Sequence, residues 1–206
     1  MKTRSELKAA ALGKCRMNWT PLVLATLVYF AICGVTSATT VAAGLVAIFG
    51  LLPLEVGLVN SFLAFDRDQS QTEIIEGMFR KGFANGYLHN VLGMFLMELF
   101  VFLWSLLLVI PGIIKALAYA MTPYILVENP EIPAYDAIKL SEKMMMGHKW
   151  ELFVLYLSFI GWFLLACLTF GIGFLWLTPY IEMSVCEFYE DLKAEQVGKP
   201  LEGTIN

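Results

Sequence analysis

The chain has 206 residues, of which 58% are hydrophobic and 16% are charged, and its mean hydropathy is +0.68. A soluble globular domain has about 25% charged residues, so this composition excludes a soluble chain and predicts an integral membrane protein. The net charge of −4 gives no reason to expect a nucleic-acid partner. The four cysteines have no metal or redox spacing, and we expect no disulfide, metal site or cofactor.

Six apolar runs are predicted to cross the membrane, because a helical span needs about 17–25 mostly apolar residues. In chain order they cover residues 19–35, 41–65, 91–110, 113–127, 151–168 and 172–188. The first run is longer than the apolar region of a secretory signal, so we expect an uncleaved helix there. The fourth run is short, about 22 Å at 1.5 Å per residue. Pro111 and Gly112, just before it, are predicted to form the outer turn.

The distribution of positive charge predicts the topology. Each odd-numbered run is joined to the next by a tight connector without a cation, namely TSATT, PG or TFGIG. Of the 14 Lys and Arg residues, all except Lys115 lie outside these hairpins. Since cytoplasmic loops carry the excess of Lys and Arg, both termini and both long loops are predicted to be cytoplasmic. The sequence thus predicts an all-α, polytopic protein of the cell membrane, with six transmembrane helices arranged as three hairpins.

Residues 1–192 are predicted to form one transmembrane domain, and residues 193–206 a flexible cytoplasmic tail. Three units of similar length, 1–66, 67–128 and 129–192, share a weak pattern that ends in a proline-bearing helix. The prolines are Pro53, Pro123 and Pro179, and the last two lie in the same tetrapeptide, TPYI. A pseudo-threefold repeat and a coincidence of common membrane-helix residues are both consistent with this pattern.

Three cytoplasmic stretches are predicted to be amphipathic helices: SELKAAALGKCRMN, QTEIIEGMFRKGF and PAYDAIKLSEKMMMGHK. Ser5 is the predicted N-cap of the first. Pro133 begins the third, whose predicted apolar face carries Ala134, Ile138, Ser141 and Met145. Such helices lie in the headgroup plane and favour anionic lipids; the alternative is that they only support the bundle. The candidate headgroup ligands are Arg80, Lys81, Lys139, Lys143, His148 and Lys149.

Four of the charged residues within the apolar runs are candidates for a polar site. Lys115 lies about 5 Å below the predicted outer turn, either as a snorkelling anchor or as a cation facing an outward-open cavity. Glu55, Glu98 and Glu182 lie deeper, one in each hairpin, and intramembrane ionisable residues often mark functional sites. If all three face inward, they form a polar centre for a proton or cation; alternatively, Glu182 and Glu98 reach the cytoplasmic interface. Further candidates for polar contacts are Tyr119, Asn60, Thr122, Tyr124, Thr178 and Tyr180.

Four segments carry a resemblance to a known family: IPGIIKALAY, ENPEIPAYDAIKLSEKMMMGHK, LSFIGW and TPYIEMSVCEFYEDL. They resemble a bacterial integral membrane protein family catalogued as domain of unknown function 975, which is frequent in Gram-positive bacteria. The resemblance covers residues 76–192 well and the first two runs more loosely, through PLEVG. It implies a polytopic membrane protein and no particular activity.

Two functions therefore compete. The first is transport or lipid handling along a polar path that includes Lys115, Tyr119 and the three intramembrane glutamates. The second is a non-catalytic membrane scaffold, stress factor or immunity-type protein that acts through membrane lipids, a protein partner or a second copy. No phosphate-binding loop, HExxH or nucleophile-elbow motif occurs, so no catalytic residue is predicted and an enzyme is disfavoured. Lipid chemistry that uses carboxylates is the third alternative.

Overall fold

The computed structural model describes residues 2–37, 47–68, 74–83 and 86–198, and within these ranges the chain forms helices and no strands. The helices are α1 (Arg4–Met17), α2 (Trp19–Ser37), α3 (Leu52–Arg67), α4 (Ile74–Phe83), α5 (Tyr87–Leu107), α6 (Val109–Tyr119), α7 (Thr122–Glu128), α8 (Ala134–Met144), α9 (Lys149–Leu157), α10 (Ile160–Leu168) and α11 (Phe174–Gly198). A π-helical turn, Ala47–Leu51, leads into α3.

Several helical segments are long and apolar enough to cross a membrane, which agrees with the predicted multi-pass membrane protein. Four such segments are Phe49–Arg67, Tyr87–Leu106, Val109–Glu128 and Lys149–Leu168, and the pair α1 and α2, bent by 96°, is a fifth candidate. The sixth predicted run, 172–188, covers the first part of α11. That helix continues past residue 188 to Gly198, and its second part carries many charged residues. Residues 41–46 of the second run lie outside the described residues.

The turn between the third and fourth runs is not at Pro111 and Gly112, as predicted, but at Leu108, which has an extended backbone. Pro111 fits inside the first turn of α6, where a helical N–H has no partner in any case. A Cβ on Gly112 would lie 2.2 Å from Ser105 Oγ, so the two helices approach too closely for a larger residue. The fourth segment is consequently 20 residues long, about 30 Å, rather than short.

A break at Ala120 and Met121 divides this fourth segment into α6 and α7. Pro123 has no N–H to donate to the preceding turn. Ser141 of α8 bonds to two other backbone groups at the break: its hydroxyl donates to the Ala118 carbonyl at 2.9 Å and accepts from the Met121 N–H at 3.1 Å. Ser141 is completely buried, so α8 is fastened to the fourth segment at the break.

The three predicted amphipathic helices all bury their apolar faces against the bundle, as in the supporting alternative. On α8 the predicted face is confirmed, because Ala134, Ile138, Ser141 and Met145 are buried. On α4, a Cβ on Gly82 would lie 2.5 Å from the Pro53 carbonyl oxygen of α3. These helices are therefore part of the core and not only a surface layer.

Helix α1 also differs from its prediction at its first residue. Thr3, not Ser5, is the N-cap, because Thr3 and Glu6 form a reciprocal capping box. The helix buries Ala11 and Cys15 completely against the core. The largest buried side chains of this core belong mainly to α3, α7 and α11 and include Phe62, Phe65, Leu63, Ile125, Leu126, Phe188 and Tyr189.

Candidate functional site

Two of the three carboxylates predicted to lie within the membrane share one cavity. Glu55 of α3 and Glu182 of α11 both line a space of about 150 Å³ between α2, α3, α7, α9 and α11. Hydroxyl-bearing side chains complete the polar part of the wall: Tyr29, Tyr124, Tyr156 and Thr178. Each carboxylate lies shortly after a proline, Pro53 or Pro179, within its helix. This cavity is the candidate functional site.

The cavity contains acids without matching cations. Each of the two carboxylates lies near the negative charge of another glutamate. The charge of Glu55 acts on Glu182, and the charge of Glu98 acts on Glu55. Every ion pair found among the described residues involves other carboxylates. Both side chains are only half-buried. A positively charged or protonating ligand in the cavity would offset the repulsion between them.

Glu98 does not line the cavity with the other two acids. It is exposed on α5, although its charge acts on Glu55. The predicted polar centre of three acids is therefore reduced to a pair, with the third carboxylate on the outside of the bundle.

Lys115 and Tyr119 belong to a different place. The Lys115 ammonium lies 2.6 Å from a carboxylate oxygen of Glu142 on α8, and 5.2 Å and 5.5 Å from the ring centroids of Trp104 and Tyr119. Tyr119 is buried and packs beside Phe100. Since the turn lies at Leu108, Lys115 is seven residues, about 10 Å, along the helix from it, so Lys115 lies deeper than predicted and within reach of α8. The Glu142 carboxylate, not an outward cavity, is the partner of Lys115.

The other predicted polar contacts are scattered. Tyr124 and Thr178 line the cavity, while the Tyr180 hydroxyl donates to the Lys8 carbonyl at 3.4 Å. Thr122 is buried, and its hydroxyl has no hydrogen-bond partner among the described residues. Asn60 is half-buried on α3.

The six candidate headgroup ligands do not form one site. Arg80 pairs with Glu76 at 3.7 Å on the exposed side of α4. Lys139 lies 4.5 Å from the Tyr135 ring centroid on α8. His148 contacts Glu151 at 3.0 Å. Lys143 is exposed and Lys149 half-buried, and the side chain of Lys81 lies outside the described residues.

A network of paired charges, here called the charge network, joins the C-terminal ends of α3 and α7 to α1 and α11. Glu128 accepts from Arg67, from the Tyr189 hydroxyl at 2.6 Å and from Lys193 at 2.7 Å. The remaining members are Lys2, Lys14, Asp66, Glu187 and Glu190, with Lys14 bridging Asp66 at 2.8 Å and Glu187 at 2.5 Å.

The charge network also sets the ionisation of α1. Partial burial acts to lower the pKa of Lys14, but its hydrogen bonds to Asp66 and Glu187 outweigh burial, so the pKa is raised. A hydrogen bond to Glu187 raises the pKa of Lys2. Next to Lys14, burial raises the pKa of the Cys15 thiol to about 12, which makes that thiol a neutral core residue. No disulfide links the four cysteines, all of which lie within the described ranges.

Two cavity residues, Tyr29 and Tyr156, were not singled out from the sequence. A tyrosine within an apolar run is also common where it serves only in packing, so the sequence signal was too weak to use. Ser141 was predicted only as part of the apolar face of the third amphipathic stretch, and nothing in the sequence indicates that its hydroxyl bonds to a helix break twenty residues earlier. Among the described residues no group of three His, Cys, Asp or Glu side chains could hold a metal ion.

Several helices are long and apolar enough to cross a membrane, which is compatible with a multi-pass membrane protein. The model of the family described as "Protein of unknown function (DUF975)" matches residues 39–196, which is most of the chain. The chain belongs to this family, and the predicted resemblance is confirmed. No curated protein and no solved structure matches the chain.

Proposed function

We propose that this protein crosses the bilayer six times as three hairpins, with both termini in the cytoplasm. The cation distribution supports this topology, since all Lys and Arg residues except Lys115 lie outside the hairpins. The grouping of Lys14, Arg67 and Lys193 in one charge network is consistent with a common cytoplasmic side. A pseudo-threefold origin of the hairpins remains part of the proposal.

Within this topology, we propose that the Glu55–Glu182 cavity binds a proton or a small cation and that the protein transports it. The observation that carries the proposal is the shared cavity itself: carboxylates from two different helices face one space that the described cations do not neutralise. Leaving two acids close together in a low-dielectric bundle is costly unless a proton or cation joins them. The cavity volume of about 150 Å³ suits a small ion with water and not a large solute.

Lys115 has no place in this transport path. The Lys115 ammonium is already paired with the Glu142 carboxylate of α8 and lies over an aromatic ring. The path we propose therefore depends on Glu55 and Glu182, with the tyrosine hydroxyls of the cavity as additional ligands. It includes no catalytic step.

The second candidate function is a non-catalytic scaffold, and one observation favours it. All three amphipathic helices bury their apolar faces, and the charge network ties the N-terminal helix to α3 and α11. A rigid, highly interconnected cytoplasmic face is what a docking protein for lipids, another protein or a second copy would present.

Flux measurements distinguish the two functions. The full chain is reconstituted into proteoliposomes, and proton, sodium and potassium flux are followed with ion-sensitive dyes. We expect flux of one ion in the wild type and its loss in Glu182→Gln and Glu55→Gln. Glu98→Gln is the matched control, because that acid is exposed on α5, and it should retain most of the flux. Absence of flux for all three ions, or equal flux in all variants, would favour the scaffold.

A further inference from the structure

One face of α1 carries two cations followed by a leucine. Arg4, Lys8 and Leu12 are spaced at i, i+4 and i+8 and therefore lie in one row along the helix. Two effects act on the pKa of Lys8, namely its own partial burial and the like charge of Arg4, and no acid contributes. Burial and the Arg4 charge together lower the pKa of Lys8. In contrast to Lys2 and Lys14, whose carboxylate partners are in the charge network, Lys8 is a half-buried cation that pairs with no carboxylate in the described part of the chain.

The same row of α1 leads into an apolar groove of about 390 Å³. Leu12 and Trp19 form one wall, and the α10–α11 hairpin forms the other with Trp162, Leu165, Trp176 and Leu177. Trp162 and Trp176 are about half-exposed, at 55% and 48%.

Lys8 lies at one end of this groove. Its ammonium donates to the Ser158 carbonyl at 3.2 Å and lies 4.1 Å from the centroid of the Phe159 ring. The Phe159 ring packs edge-on against Tyr180, with centroids 5.1 Å apart, and Tyr180 lines the groove. The Lys8 ammonium also donates to the Ser158 hydroxyl at 3.3 Å, so Ser158 holds two of its three donors and the third remains for a ligand.

From this arrangement we propose that the face of α1 and the α10–α11 hairpin form a binding site for an anionic phospholipid. Its phosphate contacts Lys8 and Arg4, and one acyl chain lies in the groove between the wall of Leu12 and Trp19 and the wall of the α10–α11 hairpin. The separation of Lys8 and Leu12, about 6 Å along the helix, matches the step from a phosphate to the start of an acyl chain. Charge complementarity selects an anionic lipid, because a zwitterionic headgroup would bring its own cation next to Lys8 and Arg4.

This site shares no lining residue with the Glu55–Glu182 cavity and none of the six headgroup candidates predicted from the sequence. It is therefore independent of the proposed transport. A neighbouring pocket continues from Arg4 toward Trp150 and Glu151, where the carboxylate of Glu151 already contacts His148.

Brominated lipids test the site, because bromine in an acyl chain quenches nearby tryptophan fluorescence. Purified full-length protein in dodecyl maltoside is titrated with dibrominated phosphatidylglycerol and, separately, with dibrominated phosphatidylcholine. We expect phosphatidylglycerol to quench at lower concentration. Lys8→Gln should weaken its binding about fivefold, as expected for one interfacial cation, and Lys8→Arg should retain it. Replacing Trp162 and Trp176 by Phe should reduce the amplitude of quenching without changing the affinity.

Lys115→Gln is the matched control, because Lys115 is a cation paired with Glu142 of α8 and does not line the groove, and it should bind like the wild type. Equal affinity for the two lipids, or no change in Lys8→Gln, would overturn the proposal. A loss in Lys8→Arg as large as in Lys8→Gln would show that Lys8 only supports the fold and would overturn it as well. Displacement of the lipid by glycerol 3-phosphate alone would instead show a site for free phosphate esters, which contradicts the role of the groove.

Discussion

The charge network and the Glu55–Glu182 cavity treat carboxylates in opposite ways. In the charge network, Glu128, Asp66 and Glu187 are each within 3 Å of at least one cation. In the cavity, two glutamates and four hydroxyl-bearing side chains line one space, and no cation among the described residues pairs with either glutamate. The first arrangement stabilises a fold, and the second costs stability.

The comparison teaches that position along an apolar run does not reveal the role of an acid. Glu182 and Glu187 are close neighbours on α11, yet one lines the cavity and the other pairs with Lys2 and Lys14. Because a costly group persists where it serves a function, the unpaired acids are the better functional candidates. Variants that remove single charges test this difference between the paired and the unpaired acids.

The largest loss of stability is expected when a central acid of the charge network is removed. Glu128→Gln leaves Arg67 and Lys193 without their shared partner, and Glu128 is only 13% exposed at the side chain. We expect the free energy of unfolding to fall by about 1–3 kcal/mol, measured by denaturation with dodecyl sulfate in mixed micelles. Glu76→Gln is the control, since its pair with Arg80 is exposed and should contribute under about 0.5 kcal/mol. Equal effects in the two variants would refute the structural role of the charge network.

The next effect concerns the break in the fourth segment. Ser141→Ala leaves the Ala118 carbonyl and the Met121 N–H buried without their hydrogen bonds, which costs about 1–2 kcal/mol. Ser184→Ala removes a bond to the carbonyl four residues earlier in the same helix and should cost less. Thermal unfolding of both variants in detergent measures the difference, and a Ser141→Ala protein as stable as the wild type would show that the break needs no support from α8.

An effect of opposite sign is expected in the cavity. Glu182→Gln removes one of two repelling acids, so the free energy of unfolding should stay the same or rise by up to about 1 kcal/mol even as flux is lost. The same denaturation assay measures it. A decrease as large as that of Glu128→Gln would place Glu182 among the structural acids and would remove the contrast between the two regions.

The smallest effect is expected at Lys115. Its pair with Glu142 is partly exposed, with side chains 23% and 37% accessible, so Lys115→Gln should cost about 0.5–1 kcal/mol. Flux in proteoliposomes should remain close to that of the wild type, since Lys115 does not line the cavity. Loss of flux in this variant would return Lys115 to the transport path.

Much of the fold follows from the sequence, because apolar runs and amphipathic faces are local properties of the chain. The buried face of α8 and the pairing of helices around Leu108 could be predicted to within a few residues. The positions of Pro111 and Gly112 inside α6 could not, because either a turn or a first helical turn accommodates them. The partners of Lys115 and Ser141 could not be predicted either, because both depend on how α8 crosses a helix elsewhere in the chain.

For the site, the sequence indicated the right residue type and approximate depth but not the grouping. Glu55 and Glu182 were two of three equivalent candidates, and only the rotation of α5 about its axis leaves Glu98 outside the cavity. Tyr29 and Tyr156 join the site through the packing of α2 and α9, which no local pattern encodes.

The most direct test of ion binding by the Glu55–Glu182 cavity is the dependence of thermal stability on ion concentration. A ligand that binds only the folded state raises the midpoint of unfolding as its concentration rises. Purified protein is melted in sodium chloride or potassium chloride, balanced with choline chloride to constant ionic strength, and in buffers from pH 8 to pH 5.5. We expect one of these series to raise the midpoint of unfolding of the wild type and to leave the midpoint of the Glu55→Gln, Glu182→Gln double variant unchanged. Identical responses in both proteins would contradict this expectation.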